Sequence, residues 1–152
     1  MIPGKFDYVR PDTVDGAVRA LAEAGDEAKV IAGGQSLLPL LRLRLAYPEL
    51  LVDVGGIDEL RGVTDAGDAL VIGARTTHYQ LVHDPLVAEH AGLLAQATST
   101  VADPAVRHRG TLGGALAHAD PAGDLPAVVL ALDGVLTARG PGGEREIPAA
   151  DF

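Results

Sequence analysis

The chain has 152 residues, 47% hydrophobic and 22% charged, which is enough for a real core and typical of a globular protein, not a disordered one. Aromatics make up only 3% and Trp is absent, so the core must come from Ala, Val and Leu, and base-stacking platforms for nucleic acid are nearly excluded. Twelve basic against twenty-one acidic residues give a net charge of -9, a field that repels phosphate backbones and anionic lipid surfaces.

A local phosphate site is still allowed, because backbone amides bind phosphate without a basic side chain. Cysteine is absent, which excludes disulfides, cysteine nucleophiles and thiolate-ligated clusters in this chain. The opening "MIPGKFDYVRP" has no apolar targeting region and no later run is long enough to span a bilayer, so a cytoplasmic protein is expected.

In chain order, Lys5 to Val9 reads as a short strand ended by Pro11. Asp12 or Thr13 caps a helix in which Val14, Ala17, Val18, Leu21 and Ala24 share an apolar face, closed by Gly25. "AKVIA" reads as a buried strand, Ser36 as the N-cap of a helix with Pro39 in its first turn, and "LLVDV" as another strand. This predicts β-α-β-α-β over residues 1–57, with Gly33–Gly34 at a strand-to-helix junction.

From residue 58 to 152 the texture changes. A hairpin turns at Ala66-Gly67-Asp68, a short helix follows Thr76 or Thr77, and Asp84-Pro85 opens a longer helix interrupted at Gly92. Pro104 to Asp124 shows no convincing periodicity and reads as a long, packed, glycine-rich loop whose inward amides make an anion-binding concavity. Asp124 then reads as the N-cap of a helix over "DLPAVVLALD", and a final hairpin turns at "GPGG".

The chain thus carries two glycine pairs, Gly33–Gly34 and Gly113–Gly114, one in each part. Taken singly, the first is an ordinary strand–helix turn. Jointly, their simplest purpose is to hold a long ligand with an internal diphosphate, while Asp120 and Asp124 are placed to accept hydrogen bonds from ribose or ribityl hydroxyls. The Rossmann fingerprint and the P-loop ending are both absent. Asp120 reads equally as a purely structural loop residue. His78, His83 and His118 lack a third ligand at sensible spacing, so no metal site is expected. Arg107, His108 and Arg109 form the only local positive cluster visible along the chain.

"MIPGKFDYVRP", "AGGQSLLPLL", "LVDVGGIDEL", "ADPAVRHRGTLGG" and "ADPAGDLPAVVLALD" occur in consistent order from residue 1 to 152. Together they resemble the FAD-binding medium subunit of molybdenum hydroxylases, the carbon monoxide dehydrogenase and xanthine dehydrogenase flavoproteins. The resemblance implies an α+β, two-lobed FAD-binding domain of the PCMH (vanillyl-alcohol oxidase-like) type. It assigns cofactor binding to Ala32, Gly33, Gly34, Gln35, Ser36 and Leu37 in the first motif. In the second it assigns Thr111, Leu112, Gly113, Gly114 and Ala115, with Val101 beside the flavin and Asp124 at the end of the loop. No catalytic residue is implied.

The implied function is electron transfer from iron–sulfur clusters through FAD to an external acceptor. The implied partners are a large molybdenum-cofactor subunit, which oxidises the substrate, and a small [2Fe-2S] subunit. Two departures stand out. The family usually reads Thr-Ile-Gly-Gly-Asn where this chain has Ala115, a lost polar contact worth about 1–3 kcal/mol. Family members also continue past Phe152 into a domain that covers the isoalloxazine, so a fragment is expected, with a naturally short protein as the alternative. The rival readings are a truncated non-catalytic paralogue that has lost FAD, and a different flavoenzyme on the same fold such as a p-cresol-type oxidase.

Overall fold

The structure is a computed structural model describing residues 2–152, so the first residue of the opening motif, Met1, lies outside the described residues. Three short strands, β1 (Asp7–Val9), β2 (Ala28–Ile31) and β3 (Leu50–Asp53), form a parallel sheet in the order β1-β3-β2. Parallel neighbours need crossovers, supplied here by α1 (Val14–Ala24) and α2 (Leu37–Leu43). The register sets Val9 and Val30 against Val52, so all three strands end together and their C-terminal ends share one edge.

Helix α1 starts and stops where the sequence says it should. Thr13 accepts the Gly16 amide as N-cap, and Gly25, at φ 60°, closes the helix with its own amide on the Leu21 carbonyl. Two other expectations of this region need correction. The "AKVIA" strand is not buried throughout: β2 is an edge strand, and Lys29 and Val30 are exposed while Ala28 is buried. Ser36 occupies the N-cap position of α2 but makes no side-chain cap, because its backbone is already helical (φ −97°, ψ −46°) and not extended. The first strand is also shorter than Lys5–Val9, running from Asp7.

Residues 58 onward begin with the hairpin β4 (Val63–Asp65) and β5 (Leu70–Ile72). Then come α3 (His78–His83), capped by Thr77 in a full capping box with Gln80, and α4 (Pro85–His90), capped by Asp84. The chain breaks at Ala91 (φ −138°, ψ 46°), one residue before the expected Gly92, and continues as α5 (Gly92–Ser99). The stretch read as a long loop is instead largely helical: α6 (Pro104–Arg107) and α7 (Leu112–His118) precede α8 (Asp124–Ala131). At four and seven residues, α6 and α7 are too short to show an apolar period, and their starts are marked by caps, Asp103 and Thr111. Gly123, not Asp124, holds the N-cap position of α8. The hairpin β6 (Val135–Gly140) and β7 (Gly143–Pro148) closes the chain.

Helix and strand alternate through β3 and are segregated after it, a mixed content that fits an α+β arrangement. Apolar packing falls into two clusters. One sits between α1 and the sheet, built on Ala17, Ala28, Val52, Val54 and Ile57. The other lies among the helices, built on Leu81, Val87, Leu94, Leu112, Leu116 and Leu125. Leu60 packs on the first and Val63 on the second. Outside both, Arg139 of β6 reaches back to Asp15 of α1 at 2.7 Å.

Candidate functional site

The shared C-terminal edge of the parallel sheet faces the loops that precede α3 and α7. Between them lies a cleft of about 410 Å³ lined by Arg10, Ala32, Gly33, Asp53, Gly55, Arg61, Arg75, Thr77, His108, Arg109 and Thr111. One wall comes from the residues that follow β1, β2 and β3. The other comes from the two ends of the β4–β5 hairpin and from the turn between α6 and α7.

Gly33 explains how these walls come together. A Cβ on it would lie 2.1 Å from the Arg109 carbonyl oxygen and 2.9 Å from the Gly110 Cα. The close approach that the glycine pair required is therefore made, at least on this side, by the opposing backbone itself. Opposite, Thr77 and Thr111 form a single antiparallel bridge, and the His78 amide donates to the Gly110 carbonyl at 2.9 Å. His78 is buried (4% exposed), with its Nδ1 unpartnered, and burial together with the Arg107 charge lowers its pKa. Both effects favour the neutral imidazole.

The two glycine motifs differ in what their amides do. In the first, no protein group accepts from the amides of Gly34, Gln35 and Ser36 among the described residues; Gln35 folds back so that its Nε2 donates to the Gly33 carbonyl at 3.1 Å. In the second, four of the five amides are committed, and only that of Thr111, which lines the cleft, has no acceptor among the described residues. Leu112 donates to Thr76, Gly113 to Ala74, Gly114 to the Thr111 hydroxyl and Ala115 to the Thr111 carbonyl. The stretch read as a loop at Gly113–Gly114 is instead the first turn of α7, where the Leu112–Ala115 amides are taken by the Thr111 cap and by the segment after β5. Gly113 is needed for packing: a Cβ there would sit 2.6 Å from the Ala74 Cβ.

Of the residues singled out from the sequence, Ala32, Gly33 and Thr111 line the cleft. Gly34, Gln35, Ser36 and Leu37 continue from its rim into α2. Leu112 is core, and Ala115 and Val101 are half-buried against the same helical cluster. Gly114 and Asp124 are exposed, and among the described residues no protein group bonds the Asp124 carboxylate. Asp120 accepts from the Ala122 amide, a structural turn bond. Ala102, beside Val101, is held at φ 45° while Arg107 Nη1 donates to both carbonyls, 101 and 102.

Of the local positive cluster, His108 and Arg109 are exposed, whereas Arg107 is turned inward onto the Val101 and Ala102 carbonyls. The charge in the cleft comes instead from Arg10, Arg61, Arg75 and Arg109, which are far apart in sequence and meet only through the fold. Arg10 bonds the Gly55 carbonyl and lies 4.0 Å from Asp53, whose carboxylate also accepts from Tyr8 Oη and from the Gly55 amide. Arg75 donates to the Ile57 carbonyl at 2.7 Å. Its pKa is lowered by burial and then by the facing charge of Arg61. Free loop amides, a backbone too close for a side chain, and four guanidiniums against the single carboxylate of Asp53 in the lining make a donor set that fits an anionic ligand better than a cation.

Residues 4–152 match the family described as the FAD binding domain in molybdopterin dehydrogenase. The chain belongs to that family. FAD is the cofactor of this domain. The chain is 45% identical over its full length to the carbon monoxide dehydrogenase medium chain of Hydrogenophaga pseudoflava, covering 53% of that protein. It is 47% identical to the 6-hydroxypseudooxynicotine dehydrogenase complex subunit alpha of Paenarthrobacter nicotinovorans, again over the full chain and 51% of the relative. Among solved structures, the Hydrogenophaga pseudoflava carbon monoxide dehydrogenase lacking the Mo-pyranopterin moiety superposes with a TM-score of 0.99 at 46% identity, over 100% of this chain and 53% of that one. The chain therefore spans about half the length of these relatives.

Proposed function

We propose that this domain holds FAD across the junction of two lobes, residues 1–57 and 58–152, in the manner of PCMH-type flavoprotein domains. In this reading it serves as the FAD-binding part of an electron-transfer subunit in a molybdenum hydroxylase complex. The observation that carries the reading is the pairing of the Gly33 backbone with Arg109–Gly110 beside free amides at Gly34, Gln35 and Ser36. That arrangement needs both motifs at once, and both belong to a family defined by FAD.

In this role the protein binds and orients, while the bound flavin supplies the redox chemistry. The Gly34–Ser36 amides take anionic oxygens of the cofactor, Leu37, Leu112, Gly113, Gly114 and Ala115 shape its bed, and Val101 flanks the ring system. Asp124, exposed and without a protein partner, accepts from a cofactor hydroxyl. No side chain acts as acid, base or nucleophile.

The partners in this reading are a large molybdenum-cofactor subunit and a small [2Fe-2S] subunit, and the setting is the cytoplasm. The medium chains of carbon monoxide dehydrogenase among the relatives support it, as does the lack of cysteine, which leaves cluster ligation to another chain. No helix among the described residues is long and apolar enough to cross a membrane.

Titration of FAD with the purified protein tests the cofactor role. Quenched flavin fluorescence and a protein-bound visible spectrum are expected, and a colourless protein that leaves added FAD fully fluorescent would sink it. Co-purification with the two partner subunits tests the assembly.

A further inference from the structure

Gly110 is a glycine that its own backbone does not require, since its φ lies outside the left-handed region. Its surroundings supply the reason. A Cβ there would meet His78 Cδ2 at 2.7 Å, His78 Nε2 at 2.9 Å and the Val106 carbonyl oxygen at 3.3 Å. Its Cα is also the atom 2.9 Å from where a Cβ on Gly33 would stand. Gly110 therefore touches the Gly33 backbone from one part of the chain and the His78 ring from the other. The His78 amide, donating to the Gly110 carbonyl at 2.9 Å, ties the ring to the same residue.

The ring is 4% exposed and its Nδ1 has no partner, a cost that a hydrocarbon side chain of similar size would avoid. Around it, α3 packs against α4, α5 and α6. Helix α5 carries no ionisable side chain, and Glu89 and His90 of α4 are exposed. The capping carboxylates Asp84 and Asp103 are bonded to the Leu86 and Val106 amides. Tyr79 and His83 of α3 are exposed, and Tyr79 stacks on the rings of His83 and His108. Helix α6 brings Arg107, fixed by its bonds to the Val101 and Ala102 carbonyls. Of these groups only the Arg107 charge acts on His78, and no carboxylate offsets it.

We propose that His78 is a positioning residue of the cofactor cleft, its uncharged ring holding Gly110 against Gly33 and, with Gly110, the neighbouring Arg109 and Thr111 at the cleft wall. This rests on the FAD reading but concerns a residue outside the cleft lining. A proton on the ring would set a second cation near Arg107 with no anion to meet it, so the ring must move toward solvent or admit water. Either change withdraws the support from Gly110. Below the ordinary imidazole value of about 6.5, acid therefore favours the opened joint, and the grip on the cofactor weakens as pH falls. His108, which lines the cleft, acts in the opposite sense, because its protonation adds positive charge beside an anionic ligand.

FAD affinity of the purified protein is measured by fluorescence quenching between pH 8 and pH 5.5, for the parent, His78→Gln and His108→Gln. The parent should bind about three- to tenfold more weakly at pH 5.5 than at pH 7.5, the upper figure being the tenfold per unit below the ordinary value. His78→Gln should cut that change to within about twofold, and His108→Gln should leave or enlarge it. A second set of variants probes the contact without titration. Gly110→Ala and His78→Ala should each lower FAD affinity at pH 8 and lower Tm. Because the methyl of the first enters the space vacated by the second, the double variant should be no worse than Gly110→Ala alone.

An affinity that does not fall with acid in either the parent or His108→Gln, or a fall that survives in His78→Gln, would overturn the positioning role and leave the FAD reading intact. A protein that binds no FAD at any pH would overturn that reading. The role of His78 at the joint is then decided by Tm, where additive losses in the double variant count against it and non-additive losses support it.

Discussion

Replacing Gly33 by alanine is the sharpest perturbation of the joint between the two motifs. The new methyl carbon would stand 2.1 Å from the Arg109 carbonyl oxygen, 2.8 Å from its carbon and 2.9 Å from the Gly110 Cα. Ordinary contacts begin near 3.4 Å, so the backbones must separate by roughly 1 Å, and no flexible side chain is available to yield instead. Overpacking of this kind costs about 1–3 kcal/mol, and for a domain of this size each kcal/mol lowers Tm by about 2–4 °C. A fall of roughly 2–12 °C is therefore expected, together with weaker FAD binding, because the displaced segment carries Thr111. Calorimetry and FAD titration of the same preparation measure both. Gly142→Ala, where the added carbon meets nothing within 4 Å, is the matched control and should melt close to the parent. If Gly33→Ala melts within 1 °C of the parent and binds FAD equally, the packed joint is not what Gly33 provides.

Leu81 is fully buried in the helical cluster, so Leu81→Ala should cost about 2–5 kcal/mol by urea unfolding. Thr77→Ala removes the capping box of α3 and should cost about 1 kcal/mol, whereas Thr77→Ser should recover most of it. His78 has its pKa lowered in the fold, so below about pH 6.5 the unfolded chain binds more protons than the native one and stability falls with acidification. His78→Gln should flatten the stability–pH curve below 6.5, and Arg107→Gln should move the histidine titration upward by NMR; an unchanged curve and an unchanged titration would refute the buried-imidazole argument.

The sequence determined those features whose cause is local. Thr13 and Gly25 bound α1 because capping needs only neighbouring atoms, and the same holds for Asp84-Pro85 and for the hairpin turning at Gly67. The order β-α-β-α-β was legible because helical and strand periods alternate cleanly there. Local reasoning failed where segments are shorter than a period, as in α6 and α7, and where position in the sheet decides, as in the half-exposed edge strand β2.

For the site, the glycine motifs could be read, but their roles could not. Whether an amide is free or spent depends on what the fold brings to it: Thr76 and Ala74 take the amides of Leu112 and Gly113, and among the described residues no protein group accepts from those of Gly34 to Ser36. Arg61 and Arg75 lie in no motif and Arg10 only in the opening one, and only the meeting of the sheet edge with the β4–β5 hairpin places them around one cleft. Capping and turn chemistry are short-ranged and written along the chain. Charge convergence and backbone contact are long-ranged, and only the tertiary structure decides them.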